Sequence, residues 1–118
     1  MKVYISGKIT GLEKDVYTKA FLEKEKVLKQ NGYDVFNPVT GAEALERKIK
    51  KIYQRVPTYE EYMTEALKGL LECEGICQLS NWRDSRGALC EYSVALATGK
   101  IFVKSFSLKK GGAKCQKV

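Results

Sequence analysis

Glu91 is the side chain whose setting in this sequence points most directly to chemistry. It falls two turns into a helical pattern running from Ser85 to Thr98, with Gly87 and Ala88 on its own face and Ala95 one turn later. A carboxylate among small apolar neighbours is unusual, because burying a charge is costly. An apolar run, Gly75 to Leu79, precedes the helix and is short enough for a strand; a polar turn, Ser80 to Asp84, joins the two. A strand that feeds a helix through such a turn leaves the first helical N–H groups pointing into the crevice beyond the strand's carboxyl end, where an anion binds. The chain has no histidine, so acid–base chemistry here falls to carboxylates, Lys, Tyr or Cys. The plain alternative for Glu91 is a helix-terminus acid paired with Arg83, Arg86 or Lys8.

Those residues need elements to position them. Lys2 to Ser6 alternates and is rich in β-formers, which predicts a first strand. The loop Gly7-Lys8-Ile9-Thr10-Gly11 follows, and its backbone can approach a phosphate, with Lys8 adding charge. A tight turn alone would also call for those glycines. Thr10 and Glu13 have capping-box spacing ahead of a long helical pattern to about Asn31, with Gly32 as a left-handed stop. Tyr33 to Phe36 predicts a second strand, ended by the extended pair Asn37-Pro38. Thr40 to about Val56 is helix-compatible and basic in its second half. Thr58 and Glu61 form a capping box after Pro57, and Met63, Ala66, Leu67, Leu70 and Leu71 give a core-facing stripe. Ile101 to Val103 predicts a last strand.

Alternating strands and helices in 118 residues predict an α/β fold: a single doubly wound, flavodoxin- or Rossmann-like parallel sheet with helices on both faces. In that topology the loop after the first strand faces the loop after Gly75–Leu79, so Gly7–Gly11 stands opposite Ser80–Gly87. Two anion-friendly loops over one carboxylate make a nucleotide-sized site. The expected organisation is one domain over residues 1–103 and a basic, flexible tail over 104–118. The net charge of +7 lies mostly in that tail: six lysines and no acid follow Glu91, leaving residues 1–91 at +1. Such a tail can bind nucleic acid weakly and salt-dependently, but more often it is a solvated end. No run is long enough to span a membrane and no apolar signal segment opens the chain, so the expected location is cytoplasmic. Four cysteines without a close pair fit that compartment and do not match a zinc site.

The segments VYISGKITG and SRGALCEYSVALATG resemble the YxxGxxxG and S-x-G-x-x-x-E-x-x-x-A-x-x-x-G motifs of the nucleoside 2-deoxyribosyltransferase-like superfamily. Within it the chain is similar to the phage-rich bacterial DUF4406 group, through GYDVFNP, Tyr62-Met63, CEGI at Cys73–Ile76 and Asn81-Trp82. The resemblance spans residues 1–103 and bears on the fold more than on an activity.

It implies that Glu91 is the nucleophile attacking C1′ of a 2′-deoxyribosyl group, with water or a second base resolving the glycosyl-enzyme, as in a retaining glycosidase. Ser85 stands where transferases acting on free nucleosides carry Asp, and matches the deoxynucleoside 5′-monophosphate N-hydrolases; a hydroxyl there suits a phosphate. Tyr4, Gly7, Lys8, Thr10, Gly11, Asn37, Trp82, Ser85 and Gly87 are the expected ligand-binding residues, with Glu91 catalytic. Relatives place an Asp three residues after the Met of Tyr62-Met63, where this chain has Ala66, so leaving-group assistance would fall to Glu65, Tyr62, water or nothing. The reading is thus an N-glycosidase acting on a (deoxy)nucleoside 5′-monophosphate without metal or organic cofactor, as a homodimer or larger assembly. The alternatives are a catalytically silent nucleotide binder of the same fold and a nucleic-acid-binding accessory protein.

Overall fold

The structure, a computed structural model, describes residues 1–104. The order of elements is β1 (Lys2–Ser6), α1 (Lys14–Gln30), β2 (Asp34–Phe36), α2 (Pro38–Tyr53), α3 (Tyr59–Leu71), β3 (Gly75–Gln78), a 3-10 turn (Trp82–Asp84), α4 (Arg86–Ala97) and β4 (Ile101–Phe102). All strand pairs are parallel, in the order β2-β1-β3-β4. The fold is the expected doubly wound α/β sheet. Its order reverses at β1, which has β2 on one side and β3 on the other, so the crevice lies at the carboxyl ends of β1 and β3.

Successive residues of β1 serve opposite faces, as the pleat requires. Val3 and Ile5 pack with Phe21 and Leu28 of α1 and with Cys77. Tyr4 points the other way, into a cluster with Leu70 of α3, Ala95 of α4 and Ile76. Helices thus cover both faces. No helix among the described residues is long and apolar enough to cross a membrane. Apart from Lys104, the expected basic tail lies outside the described residues.

Several local expectations are corrected. Thr10 does not cap α1: Gly11 at φ +89° and a Leu12 N–H to Ile9 carbonyl bond hold residues 9–12 in a turn. The helix starts from Glu13 with no side-chain cap. Asn37-Pro38 ends β2 but also begins α2, because Asn37 accepts from the Val39 N–H and Pro38 occupies the first turn, where its missing N–H costs nothing. The far end of α2 comes at Tyr53, where Gln54 turns left-handed at φ 54°, so Arg55 and Val56 are not helical. In α3 the Thr58–Glu61 capping box is present, but Leu71 is 51% exposed. It lies about 80° around the helix from Met63, at the margin of the buried stripe.

Candidate functional site

Tyr4 and Ser6 share one face of β1, two residues apart, and both aim at α4. Tyr4 Oη donates to Glu91 Oε2 and Ser6 Oγ donates to Glu91 Oε1, each at 2.6 Å. All three residues are buried, Glu91 with 7% of its surface exposed. The paired alternative for Glu91 does not hold: it faces hydroxyls, not Arg83, Arg86 or Lys8. Burial pushes the Glu91 carboxyl up from its ordinary value, while the hydrogen bonds from Ser6 and Tyr4 pull it down. Loss of solvent outweighs the two hydrogen bonds, so the net shift is upward. The Tyr4 phenol is raised well above its ordinary value, first by burial and then by the Glu91 charge, so it remains the donor.

The neighbours of this triad fix its geometry. The Phe36 ring at the end of β2 stacks on Tyr4, centroids 5.5 Å apart and planes 15° apart. Gly69 of α3 makes room for it: a Cβ there would lie 2.4 Å from the Phe36 ring. At the mouth of the crevice, Gly7 allows the close approach of Leu79, whose side chain would meet a Cβ at 2.6 Å. The Leu79 N–H bonds the Ser6 carbonyl at 2.7 Å, and the Lys8 N–H bonds Asn81 Oδ1 at 3.0 Å. These contacts lock the two expected loops side by side.

Glu91 opens onto a cleft of about 370 Å³. Its walls are largely apolar and aromatic, with Ile9, Tyr17, Pro38, Tyr59, Met63 and Ala66, and carry polar groups from Thr10, Glu46, Tyr62 and Ser85. A polar compartment of about 360 Å³ adjoins it, sharing Thr10, Tyr59, Ser85 and Gly87 and adding Lys8, Asp84 and Arg86. Ser85 is the N-cap of α4: its Oγ accepts from the Ala88 N–H at 3.1 Å, leaving the hydroxyl proton free to donate. Two cations against one carboxylate, beside a helix N-terminus, suit an anion. The volume and the mix of apolar wall with a few polar groups suit a small organic ligand.

Of the expected residues, Tyr4, Gly7, Thr10, Ser85, Gly87 and Glu91 come together around the cleft, and Lys8 lines the adjoining compartment. Gly11 serves the turn at φ +89°. Asn37 and Trp82 do not line the cleft. The Asn37 amide caps α2 and donates to Glu25 Oε1 at 2.9 Å. Trp82 packs on Tyr92, with ring centroids 4.7 Å apart, and lines a separate surface cleft with Gln78 and Arg83. Met63 and Ala66, expected in the core stripe, both line the cleft, and Ala66 also packs against the cluster of Tyr4 and Leu70.

Sequence reasoning missed Ser6, Glu46, Tyr59 and the place of Arg86 in the adjoining compartment. Ser6 carried a signal, its period-two relation to Tyr4. Glu46 carried none, since its hydrogen bond with Tyr62 at 2.7 Å joins helices whose packing no local spacing reveals.

Fold and site together define a class: a doubly wound α/β domain with a buried, hydroxyl-held carboxylate at the switch point of its sheet. The chain belongs to the family described as a domain of unknown function, DUF4406, whose model matches residues 1–104. A search of curated proteins found no match to the chain.

Proposed function

We propose that this protein binds a nucleoside 5′-monophosphate in the cleft and cleaves its N-glycosidic bond, with Glu91 as nucleophile. The observation that carries the reading is the Glu91 carboxylate, buried yet opening onto a ligand-sized cleft and held by one hydroxyl on each oxygen. The similarity of the Gly7–Gly11 and Ser85–Gly99 segments to the nucleoside 2-deoxyribosyltransferase-like superfamily supports the same chemistry.

In this reading the phosphate lies in the compartment of Lys8 and Arg86, at the N-terminus of α4, with the Ser85 hydroxyl donating to it. The sugar lies over Glu91 and the base against the aromatic wall. A Glu91 oxygen forms a bond to C1′ as the C1′–N bond breaks and its electron pair leaves with the base. Water then attacks C1′, the Glu91–C1′ bond breaks and the carboxylate returns. Tyr4 and Ser6 hold the carboxylate in the attacking orientation, and the burial that raises its basicity also strengthens it as a nucleophile once ionised.

The test is chromatography for free base after incubation with each ribo- and deoxynucleoside 5′-monophosphate, beside Glu91→Gln. Base released by the native chain and not by the variant supports the reading; release undiminished in the variant contradicts it. A second reading, a nucleotide binder without turnover, is favoured by Ala66, which puts a methyl on the wall where relatives are expected to carry an acid. It predicts saturable nucleotide binding with no base released. The resemblance also implies a homodimer or larger assembly, which sedimentation equilibrium of the full chain would detect.

A further inference from the structure

We infer that the base end of the cleft selects a cationic base, so that the preferred substrates are nucleotides whose glycosidic nitrogen is quaternary, such as pyridinium nucleotides. The inference rests on the N-glycosidase reading above and narrows its substrate class.

The arrangement that carries it lies on α2 and α3. Glu46 and Tyr62 line the cleft together, joined by the Tyr62 Oη to Glu46 Oε2 hydrogen bond at 2.7 Å. They do not line the polar compartment of Lys8 and Arg86, which meets the cleft at Thr10, Tyr59, Ser85 and Gly87. The cleft therefore has a basic end for a phosphate and a separate wall bearing a carboxylate. Tyr17 and Tyr59 line that same cleft, so phenol rings and the Tyr62-bonded carboxylate share its walls. A cleft whose walls carry both a carboxylate and aromatic side chains can attract an organic cation, through charge and ring quadrupole together.

The chemistry of the leaving step points the same way. A neutral base departs readily only when a group gives it a proton, help typically worth about 10²–10⁴-fold. Tyr62 commits its proton to Glu46, and burial together with the Glu46 hydrogen bond pushes the phenol up to about 12. Glu46 is the acceptor in that bond. The pair thus suits holding a positive charge better than delivering a proton. A quaternary base needs none: the C1′–N bond breaks, the bonding pair stays on the ring nitrogen and cancels its charge, and a neutral base leaves as Glu91 bonds to C1′. Water resolves the intermediate, its proton passing to solvent.

The test follows base release from nicotinamide mononucleotide, from its reduced dihydropyridine form, which has nearly the same shape without the charge, and from AMP and dAMP. Native protein, Glu46→Gln and Glu91→Gln are compared. The expected result is a kcat/KM for nicotinamide mononucleotide about 100-fold or more above that for the uncharged-base nucleotides. In Glu46→Gln that preference should narrow by about tenfold, and Glu91→Gln should release nothing. Because Glu46 is exposed, its exchange for Gln leaves the core packing intact. Equal or faster release from AMP and dAMP, abolished by Glu91→Gln, would overturn the cationic preference while leaving the glycosidase reading standing. A preference unchanged by Glu46→Gln would overturn the role of the pair. Release from none of the four would overturn the cationic preference, and the glycosidase reading would fall only if the full panel of 5′-monophosphates also released no base.

Discussion

Tyr4 is held from two directions by groups far apart in sequence: its ring stacks on Phe36 at 5.5 Å, and its hydroxyl donates to Glu91 at 2.6 Å. The stack fixes where the hydroxyl points, and the hydroxyl fixes one oxygen of the carboxylate. Ser6 fixes the other. The orientation of Glu91 is therefore a property of the sheet, delivered by β1, rather than of the helix that carries it.

Tyr4→Phe and Ser6→Ala should act on the pH dependence of turnover. Both hydrogen bonds hold the Glu91 carboxyl down against a burial that pushes it up. Removing either leaves burial less opposed, so the acid limb of the kcat/KM profile should move to higher pH in each variant. Tyr4→Phe retains the ring and its stack, which separates this effect from a packing loss. A profile that kept its acid limb while only its height fell would show that the hydroxyls do not tune Glu91.

Gly69→Ala tests the support beneath the triad. A Cβ at Gly69 would come within 2.4 Å of the Phe36 ring, between an α3 backbone and a strand that cannot both yield cheaply. Overpacking of this kind costs about 1–3 kcal/mol. Urea unfolding should show that loss, and Phe36→Leu in the same chain should recover part of it by shortening the side chain in the way.

Glu91→Gln should stabilise the fold at neutral pH. A carboxyl raised by folding above its ordinary value of 4.5 contributes stability below that value and loses it as pH climbs through the folded value. The native chain therefore pays for a buried charge above that window, and the amide does not. Its NH₂ group can donate to Ser6, whose hydroxyl can turn to accept. The expected gain is present at pH 7 and shrinks toward pH 4. Thermal melts at the two pH values read it directly, and equal melting temperatures at both would contradict it.

Lys8→Ala and Arg86→Ala should weaken binding of a nucleoside 5′-monophosphate more than binding of the matching nucleoside, since both side chains line the polar compartment rather than the wall around Glu46. Calorimetric titration in low and moderate salt would show the difference, and it should shrink as salt screens the charges.

The architecture was legible because it is written in local patterns. KVYIS alternates as a strand must, Thr58 and Glu61 announce a helix start, and Gly32 and Gly99 stop helices at φ +91° and +72°. Glu91 stood out because a carboxylate between Ala88 and Ala95 has no simple reason to be there. What stayed hidden depends on contacts between elements. Ser6 acquires its role only when α4 crosses β1, and Glu46 only when α2 lies against α3. Asn37, which the resemblance placed among the ligand residues, has both ends of its amide engaged elsewhere: Oδ1 accepts from the Val39 N–H to cap α2, and the NH₂ donates to Glu25.

The most direct test of Glu91 as a nucleophile is to trap the bond it forms. The chain would be incubated with a 2′-fluoro-arabinonucleoside 5′-monophosphate, quenched in acid, digested and examined by mass spectrometry. An electron-withdrawing fluorine slows resolution of the glycosyl-enzyme by destabilising the oxocarbenium-like transition state. A nucleophilic Glu91 should leave a sugar-phosphate adduct on the peptide that contains it, absent from Glu91→Gln. Base release by the native chain with no adduct there, or with the adduct on another residue, would contradict it.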